Sequence, residues 1–297
     1  MEFLRTPDEA FAQIKDFPYS TQFVEHGADY AHMRMAYVDE GEGETILCLH
    51  GEPSWSYLYR KFFPILSPTY RVVAPDLLGF GKSDKPVHDD DYTFHFHYNS
   101  LKQFVNKLDL KDITLVCQDW GGLLGLSLLG EHPELFKRVV IMNTFLPIGN
   151  PLPAAFKAWL AFSKSMKDLP IGRIMKMGTY QSSSKTKEVL DAYRAPFPDK
   201  RYKAGARKFP SLVPGKPDMD GVDEMKRARE VIKAWEKPAL VMFSDQDPIM
   251  KAAGPIFRKW IPSVQGKPEI VIKDAGHFLQ EDKGEELAQH ILAFMKE

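Results

Sequence analysis

Residues 117 to 122, CQDWGG, place an aspartate where a strand would turn sharply into a helix. The apolar run ITLVC ends at Cys117, and the helical pattern GLLGLSLLGEHPELF follows the turn. Hydrolases place a nucleophile on such a strand–turn–helix unit, and Gly121 and Gly122 would let the helix pack close to the sheet. A carboxylate at Asp119 could therefore form a covalent ester with a substrate. An aspartate that only caps the helix N-terminus is the alternative interpretation.

A histidine and a second carboxylate that could support this nucleophile lie late in the chain. His277, in DAGHFLQED, follows the last strand-like run and precedes the last helical pattern. The chain order nucleophile, acid, histidine is typical of one large class of hydrolases. The loop SDQDP offers Asp245 and Asp247 as the acid, whereas the residue after the preceding strand is Asn143, which is no carboxylate. We favour Asp247, with Asp245 as the second choice, to orient the imidazole and stabilise its cation.

The loop HGEPSWSYLY, after the strand-like run TILCL, could supply part of an oxyanion hole. Such a loop can aim backbone N–H groups at a developing negative oxygen. The expected donors are the N–H groups of Glu52 and of Trp120, the residue after the nucleophile. His50 in the same loop is expected to be structural.

Short apolar runs predict the strands that must position these side chains. They are TILCLHGEP, RVVAPDLLGFG, ITLVCQDWGG, RVVIMNTF, ALVMFSDQD and EIVIKDAGH, each ending in loop residues. Runs of this length favour buried parallel strands. Helical patterns between them predict an α/β fold with a mostly parallel, doubly wound sheet. TQFVEH and HMRMAYVDEG predict an antiparallel hairpin at its start.

The alternation of strands and helices breaks after Phe145. Residues 146–230 are mostly helical in pattern, and ALVMFSDQD then resumes the sheet. We therefore predict a core domain of residues 1–145 and 231–297 with a helical cap inserted at residues 146–230. An insertion at the carboxyl ends of parallel strands is well placed to cover an active site.

Composition narrows the class of protein. The net charge of −1 gives no electrostatic case for nucleic acid or an anionic membrane as partner. No apolar stretch approaches the roughly 20 residues of a membrane helix, and the N-terminus lacks the apolar core of a signal peptide. Cys48 and Cys117 read as buried free thiols. We expect a soluble cytoplasmic protein. His95 and His97 lack a clear third ligand, so no metal or other cofactor is expected.

The combined motifs resemble the haloalkane dehalogenases of the α/β-hydrolase superfamily. HGEPSWSYLYR, PDLLGFGKSDKP, CQDWGG, SDQDP and DAGHF carry the resemblance, and AYRAPFPDKRYKAGARKFPSLVP is similar to the cap of the branch whose acid follows the later strand. The resemblance implies that Asp119 displaces halide from a small apolar halogenated substrate and becomes an alkyl ester. Water activated by His277 then hydrolyses the ester. A serine would form an ether, which has no carbonyl for water to attack.

Halide would need hydrogen-bond donors in a dry pocket, and an indole offers one N–H and no acceptor. Trp120 adjoins the nucleophile, and the resemblance implies that Trp159, in FKAWLAF, is the second donor. Packing alone is the alternative for Trp159. Phe145, Phe156, Phe162 and Met166 are expected to line an apolar substrate pocket, although ordinary core packing explains them equally well. We expect a monomer.

Two other functions remain open at this point. Epoxide hydrolases share the fold and an aspartate nucleophile, and they protonate the opened ring with cap tyrosines, for which Tyr180, Tyr193 and Tyr202 are candidates. Glu52, Trp159 and the cap stretch favour the dehalogenase. A binding protein that retains the fold without turnover is the third possibility, because a fold alone does not guarantee function.

Overall fold

The computed structural model describes every residue from Met1 to Glu297. Its strands are β1 (Phe3–Leu4), β2 (Gln22–Glu25), β3 (Arg34–Glu40), β4 (Thr45–Leu49), β5 (Arg71–Pro75), β6 (Lys85–Pro86), β7 (Ile113–Gln118), β8 (Phe136–Met142), β9 (Ala239–Ser244) and β10 (Ile270–Ile272). Its helices are α1 (Phe63–Leu66), α2 (Phe94–Lys107), α3 (Trp120–Glu131), α4 (Ala154–Ser165), α5 (Ile171–Gly178), α6 (Lys187–Arg194), α7 (Ala204–Leu212), α8 (Val222–Lys233), α9 (Ala253–Trp260) and α10 (Leu279–Phe294).

Eight strands form one sheet in the order β10-β9-β8-β7-β4-β5-β3-β2. The six strands from β10 to β5 are parallel, and β3 runs antiparallel to both β5 and β2. The short strands β1 and β6 pair separately. The prediction of a mostly parallel, doubly wound sheet that starts with an antiparallel hairpin is confirmed.

Helices cover both faces of the central sheet. Every residue of β4 and β7 is buried, and all of α3 except Glu131 is buried. Strands covered on two faces need no polar alternation, which explains the continuous apolar runs TILCL and ITLVC. None of the helices combines the length and apolar character that a membrane crossing requires.

The carboxyl ends of the parallel strands position the candidate site. Glu52 follows β4, Asp119 follows β7 and Asp247 follows β9. His277 lies between β10 and α10. Parallel strands end at one edge of a sheet, so side chains that are far apart in sequence meet there.

Helices α4 to α7 lie within the predicted cap, and buried side chains of α5, α6 and α7 belong to the same hydrophobic core as the sheet. The helices differ in how firmly they are held. Four of the eight residues of α6 are buried, but only Phe156 and Ser163 are buried among the twelve residues of α4. α4 is therefore the most weakly packed of these cap helices.

Helix α8 runs through the predicted cap boundary at residue 230 and packs on α3. The two helices are so close that a Cβ on Gly130 of α3 would lie 2.6 Å from the Cα of Ala228. α8 therefore lies against a helix that covers the sheet. The sequence does not reveal this, since an amphipathic pattern shows that one face is buried but not which partner buries it.

Candidate active site

Asp119 occupies a strained turn between β7 and α3, with φ +50° and ψ −124°. Its backbone N–H donates to the carbonyl of Asn143 (3.0 Å), and its own carbonyl accepts from the Thr144 hydroxyl (2.7 Å). Such backbone conformations persist only where surrounding contacts enforce them. The Asp119 carboxylate makes no capping hydrogen bond to α3. It is directed away from the helix and into the site.

The carboxylate of Asp119, the ring of His277 and the carboxylate of Asp247 lie in one line. His277 Nε2 lies 3.5 Å from Asp119 Oδ2, and His277 Nδ1 lies 2.7 Å from Asp247 Oδ2. The other Asp247 oxygen accepts from the N–H groups of Ile249 (2.8 Å) and Met250 (3.1 Å). The structure thus brings together the three residues predicted as a catalytic set, with Asp247 rather than Asp245 against the imidazole.

Two carboxylates govern the protonation of His277. Burial acts to lower the pKa of the imidazole, but the charge of Asp247 and the hydrogen bonds to Asp119 and Asp247 outweigh it and raise the pKa to about 10. Burial acts to raise the pKa of Asp247, and the charge and hydrogen bond of His277 overcome this and lower it. The two carboxylates on either side of the ring therefore favour its protonated form.

Glu52 contributes its backbone and its side chain differently. The Glu52 N–H donates to Asp119 Oδ1 (2.9 Å). Trp120, the other expected donor, is the first residue of α3, so its N–H has no carbonyl partner within the helix. Burial raises the pKa of the Glu52 carboxyl well above its usual range, and the Asp119 charge raises it further. The Glu52 carboxyl group, with Oε1 buried and unpartnered, therefore stands beside the nucleophile in surroundings that favour its neutral form.

Two cavities meet at Asp119. The larger has a volume of about 490 Å³ and is lined by Glu52, Trp159, Phe162 and His277, among others. The smaller, of about 140 Å³, is lined by Trp120 and Phe145, among others. Phe156 lines both cavities. The two predicted halide donors thus line different chambers, and most of the lining is apolar.

Met166 lines neither cavity. Helix α4 ends at Ser165, and the backbone of Met166 is extended (φ −95°, ψ 112°). Its side chain therefore leaves the helical face that carries Phe162. Sequence reasoning also missed lining residues outside the cap: Ile249, Met250 and Phe278. They directly follow the predicted acid and base, which was the available signal.

The cap tyrosines are mostly remote from the nucleophile. Tyr193 is fully buried and donates to Glu281 (2.7 Å), and Tyr202 lines neither cavity. Only Tyr180 lines the larger cavity, and it is 48% exposed. A pair of tyrosine hydroxyls directed at the nucleophile, as an epoxide hydrolase needs, is not formed.

The histidines His50, His95 and His97 line neither cavity at Asp119. His50 Nδ1 donates to the carbonyl of Gly51 (2.9 Å), and its Nε2 accepts from the N–H of Leu77 (2.9 Å). His95 pairs with Glu224 (2.9 Å), and His97 is buried against aromatic rings. No group of three or more His, Cys, Asp or Glu side chains is arranged to hold a metal ion.

Two buried amides, which sequence reasoning did not assign a role, contact the histidine loop. Asn143 Nδ2 donates to Ser244 Oγ (2.7 Å) and to the carbonyls of Gly276 (3.1 Å) and His277 (3.2 Å). Gln118 Nε2 lies 3.1 Å from both the carbonyl oxygen and the ring Nε2 of His277. The signal for Gln118 was a polar residue closing an otherwise apolar buried strand.

The chain is similar to known proteins over nearly its full length. The family model of the alpha/beta hydrolase fold matches residues 44–284. A haloalkane dehalogenase of Psychrobacter cryohalolentis is 45% identical, with 99% of this chain and 98% of that protein covered. One of Mycolicibacterium paratuberculosis is 44% identical, covering 100% and 99%. The solved structure of a haloalkane dehalogenase from Paraglaciecola agarilytica superposes with a TM-score of 0.92 at 42% identity, covering 99% and 98%.

Proposed function

The chain belongs to the haloalkane dehalogenase family of α/β hydrolases, and on that premise we propose that Asp119, His277 and Asp247 carry out its reaction. The activity is hydrolysis of a carbon–halogen bond to an alcohol, a halide and a proton. The observation that carries the assignment of roles is the line from Asp247 through His277 to Asp119, with the Glu52 N–H on the same nucleophilic carboxylate.

In the first step Asp119 displaces the halide. Oδ1 is held by the Glu52 N–H at 2.9 Å, so Oδ2, which lies 3.5 Å from His277 Nε2, is the oxygen that attacks. A bond forms from Oδ2 to the substrate carbon while the carbon–halogen bond breaks and its electrons leave with the halide. The product is an alkyl ester of Asp119. The indole N–H groups of Trp120 and Trp159 receive the halide.

Ester formation prepares His277 for the second step. The charge of Asp119 helps to raise the pKa of the imidazole, and the ester removes that charge. The ring therefore loses its proton more easily when it must act as a base. His277 takes a proton from water, and the hydroxide attacks Cγ of Asp119 while Asp247 stabilises the imidazolium.

The tetrahedral intermediate then collapses to restore the enzyme. Its negative oxygen is Oδ1, which accepts from the N–H groups of Glu52 and Trp120. The ester C–O bond breaks, the leaving alkoxide takes the proton from His277, and the regenerated carboxyl group releases the remaining proton. The oxygen of the attacking water remains in the Asp119 carboxylate.

The aromatic side chains of the two cavities favour a small apolar substrate. Phe156 and Phe162, on cap helix α4, and Phe145, in the loop after β8, line the space around Asp119. The helical insertion after residue 145 would act as the lid that excludes water during displacement. Met166, which lies outside both cavities, has no part in this proposal.

A trapped intermediate tests these roles. His277→Gln should release one equivalent of bromide from a bromoalkane and keep the alkyl group on the peptide that contains Asp119, as measured by mass spectrometry. Asp119→Ala should release no bromide while melting as a folded protein. Asp247→Asn should slow hydrolysis, and Asp245→Asn serves as the matched control because Asp247 is the carboxylate bonded to His277. Bromide turnover by Asp119→Ala would contradict the proposal.

A single-chain assembly and a cytoplasmic location also remain predictions for this protein. The Paraglaciecola agarilytica enzyme is described as tetrameric. Size-exclusion chromatography with light scattering would separate a monomer of 33.9 kDa from a tetramer of this chain.

A further inference from the structure

Gln118 is the last residue of β7 and directly precedes the nucleophile. Its side chain is fully buried. The Nε2 atom lies 3.1 Å from the carbonyl oxygen of His277 and 3.1 Å from the ring Nε2 of the same residue. The other amide atom, Oε1, is buried without any partner. Burying an amide oxygen without a hydrogen-bond donor costs free energy. The orientation of the Gln118 amide therefore needs a physical explanation.

The surroundings fix which atoms donate. A backbone carbonyl can only accept, so the Gln118 atom against the His277 carbonyl is the NH₂ group. The Asp247 carboxylate can also only accept, so His277 carries a proton on Nδ1. In the neutral ring the proton is then on Nδ1 and the lone pair is on Nε2. The Gln118 N–H groups are therefore directed at an acceptor when His277 is neutral.

Protonation of His277 on Nε2 removes the lone pair that accepts from the Gln118 N–H. An imidazolium has N–H on both nitrogens, and its Nε2–H would meet the NH₂ group of Gln118. Three ionisable groups face the ring: Asp119 from the turn after β7, Asp247 from the loop after β9, and Glu52 from the loop after β4. The charged forms of Asp119 and Asp247 favour the cation. Gln118 is the neighbour whose hydrogen-bonding favours the neutral base.

We propose that Gln118 is a positioning residue that selects the neutral, Nδ1-protonated form of His277 for hydrolysis of the alkyl ester. The inference rests on the proposed role of His277 as general base. Before alkylation the charges of both carboxylates favour the cation and oppose the Gln118 N–H on the ring Nε2. After alkylation one of the two charges is gone, and the Gln118 N–H on the lone pair favours release of the proton from Nε2.

The test is the pH dependence of ester hydrolysis in a single turnover. Enzyme in excess is mixed with a bromoalkane, and bromide and alcohol are quantified separately in quenched samples. Gln118→Met keeps the length of the side chain and removes the donor. In the pH profile of the rate of alcohol release, we expect the acid limb to move to higher pH by roughly 0.5–1 unit, which is the effect of one lost hydrogen bond. Bromide release should keep its wild-type rate, because alkylation does not need the neutral base.

Gln280→Met is the matched control. Gln280 is also fully buried with an unpartnered Oε1, but its Nε2 contacts the Tyr59 hydroxyl (3.4 Å) and not His277. Its acid limb should coincide with that of the wild type. An unmoved limb in Gln118→Met, or an equal shift in Gln280→Met, overturns the proposal.

A second variant covers the case in which Gln118→Met does not fold. Gln118→Glu is close in shape and presents an oxygen that accepts from the imidazolium, so the limb should also move to higher pH; a limb at the wild-type pH overturns the proposal. His277→Gln in the same assay separates the two levels of inference. Alcohol release that survives in His277→Gln refutes the base assignment itself, whereas its loss there, together with an unmoved limb in the Gln118 variants, refutes only the role of Gln118.

Discussion

The two indoles proposed to bind halide are held in different ways. Trp120 is 3% exposed and packs edge-on against Phe209, with ring centroids 4.4 Å apart. Trp159 is only partly buried, and its ring contacts Phe162 on the same helix. One donor is therefore fixed by the core and the other by a weakly packed cap helix. The affinity for halide, in this proposal, depends on where α4 places Trp159.

Trp159→Phe tests this dependence at the level of one N–H group. An aromatic ring is kept, and a hydrogen bond to a charged group, of about 1.5–3 kcal/mol, is lost. Bromide should then bind at least about tenfold more weakly, as measured by titration of tryptophan fluorescence. Trp235→Phe is the control, because the Trp235 N–H bonds to Pro238, away from both cavities. Unchanged bromide affinity in Trp159→Phe would remove this residue from the halide site.

At the scale of elements, the turn at Asp119 depends on the close approach of α3 to the sheet. A Cβ on Gly121 would lie 2.1 Å from the carbonyl oxygen of Leu49 in β4. A Cβ on Gly122 would lie 2.1 Å from the Thr144 hydroxyl, which bonds the Asp119 carbonyl. The two glycines therefore permit the helix to approach, and the approach enforces the left-handed backbone of the nucleophile.

Gly121→Ala should be destabilising even though alanine is the better helix former. Backbone of β4 stands at the site of the new methyl group and cannot move aside as a side chain would. We expect the free energy of unfolding to fall by roughly 1–3 kcal/mol, measured by urea denaturation. Gly27→Ala is the matched control, since nothing lies within 4 Å of its added Cβ and its stability should barely change. Equal stability of the two variants would show that α3 can shift without cost.

Most of the sheet and the positions of the three residues proposed as the catalytic set were predictable because their signals are local. Continuous apolar runs ending in loop residues identified the strands, and Asp119, Asp247 and His277 each follow such a run. The end of α4 before Met166 and the packing of α8 on α3 were not predictable. Both depend on contacts between segments that the pattern of one segment does not encode. Gln118 belongs to the same class, since its role appears only when His277 is placed beside it.

At the scale of the whole molecule, a buried ion pair fastens three parts of the chain together. Arg60 donates to both oxygens of Glu281 (2.7 Å each) and to Asp16 (2.7 Å). Tyr193, on cap helix α6, donates to the same Glu281 carboxylate (2.7 Å). The cluster thus joins the N-terminal segment, the cap and helix α10, at a point away from the cavities.

Glu281→Gln should loosen this junction. Arg60 would keep its partner Asp16 but lose the buried charge of Glu281, and an uncompensated buried charge is costly. We expect a loss of roughly 3 kcal/mol in the free energy of unfolding, near the lower end for broken buried pairs. The double variant Arg60→Met, Glu281→Leu removes both charges and should be the more stable of the two. The comparison is made by thermal melting, and a double variant that melts below Glu281→Gln would contradict the expectation.

The weak packing of α4 links the entry of substrate to the release of halide. The helix carries Phe156, which borders both chambers, and Trp159, which is proposed to hold the departing ion. Both side chains belong to one helix. An outward displacement of α4 that opens the cavities to substrate would therefore also move Trp159 away from the halide. Substrate entry and halide release would both depend on the movement of α4, so a change that slows either event should slow the other.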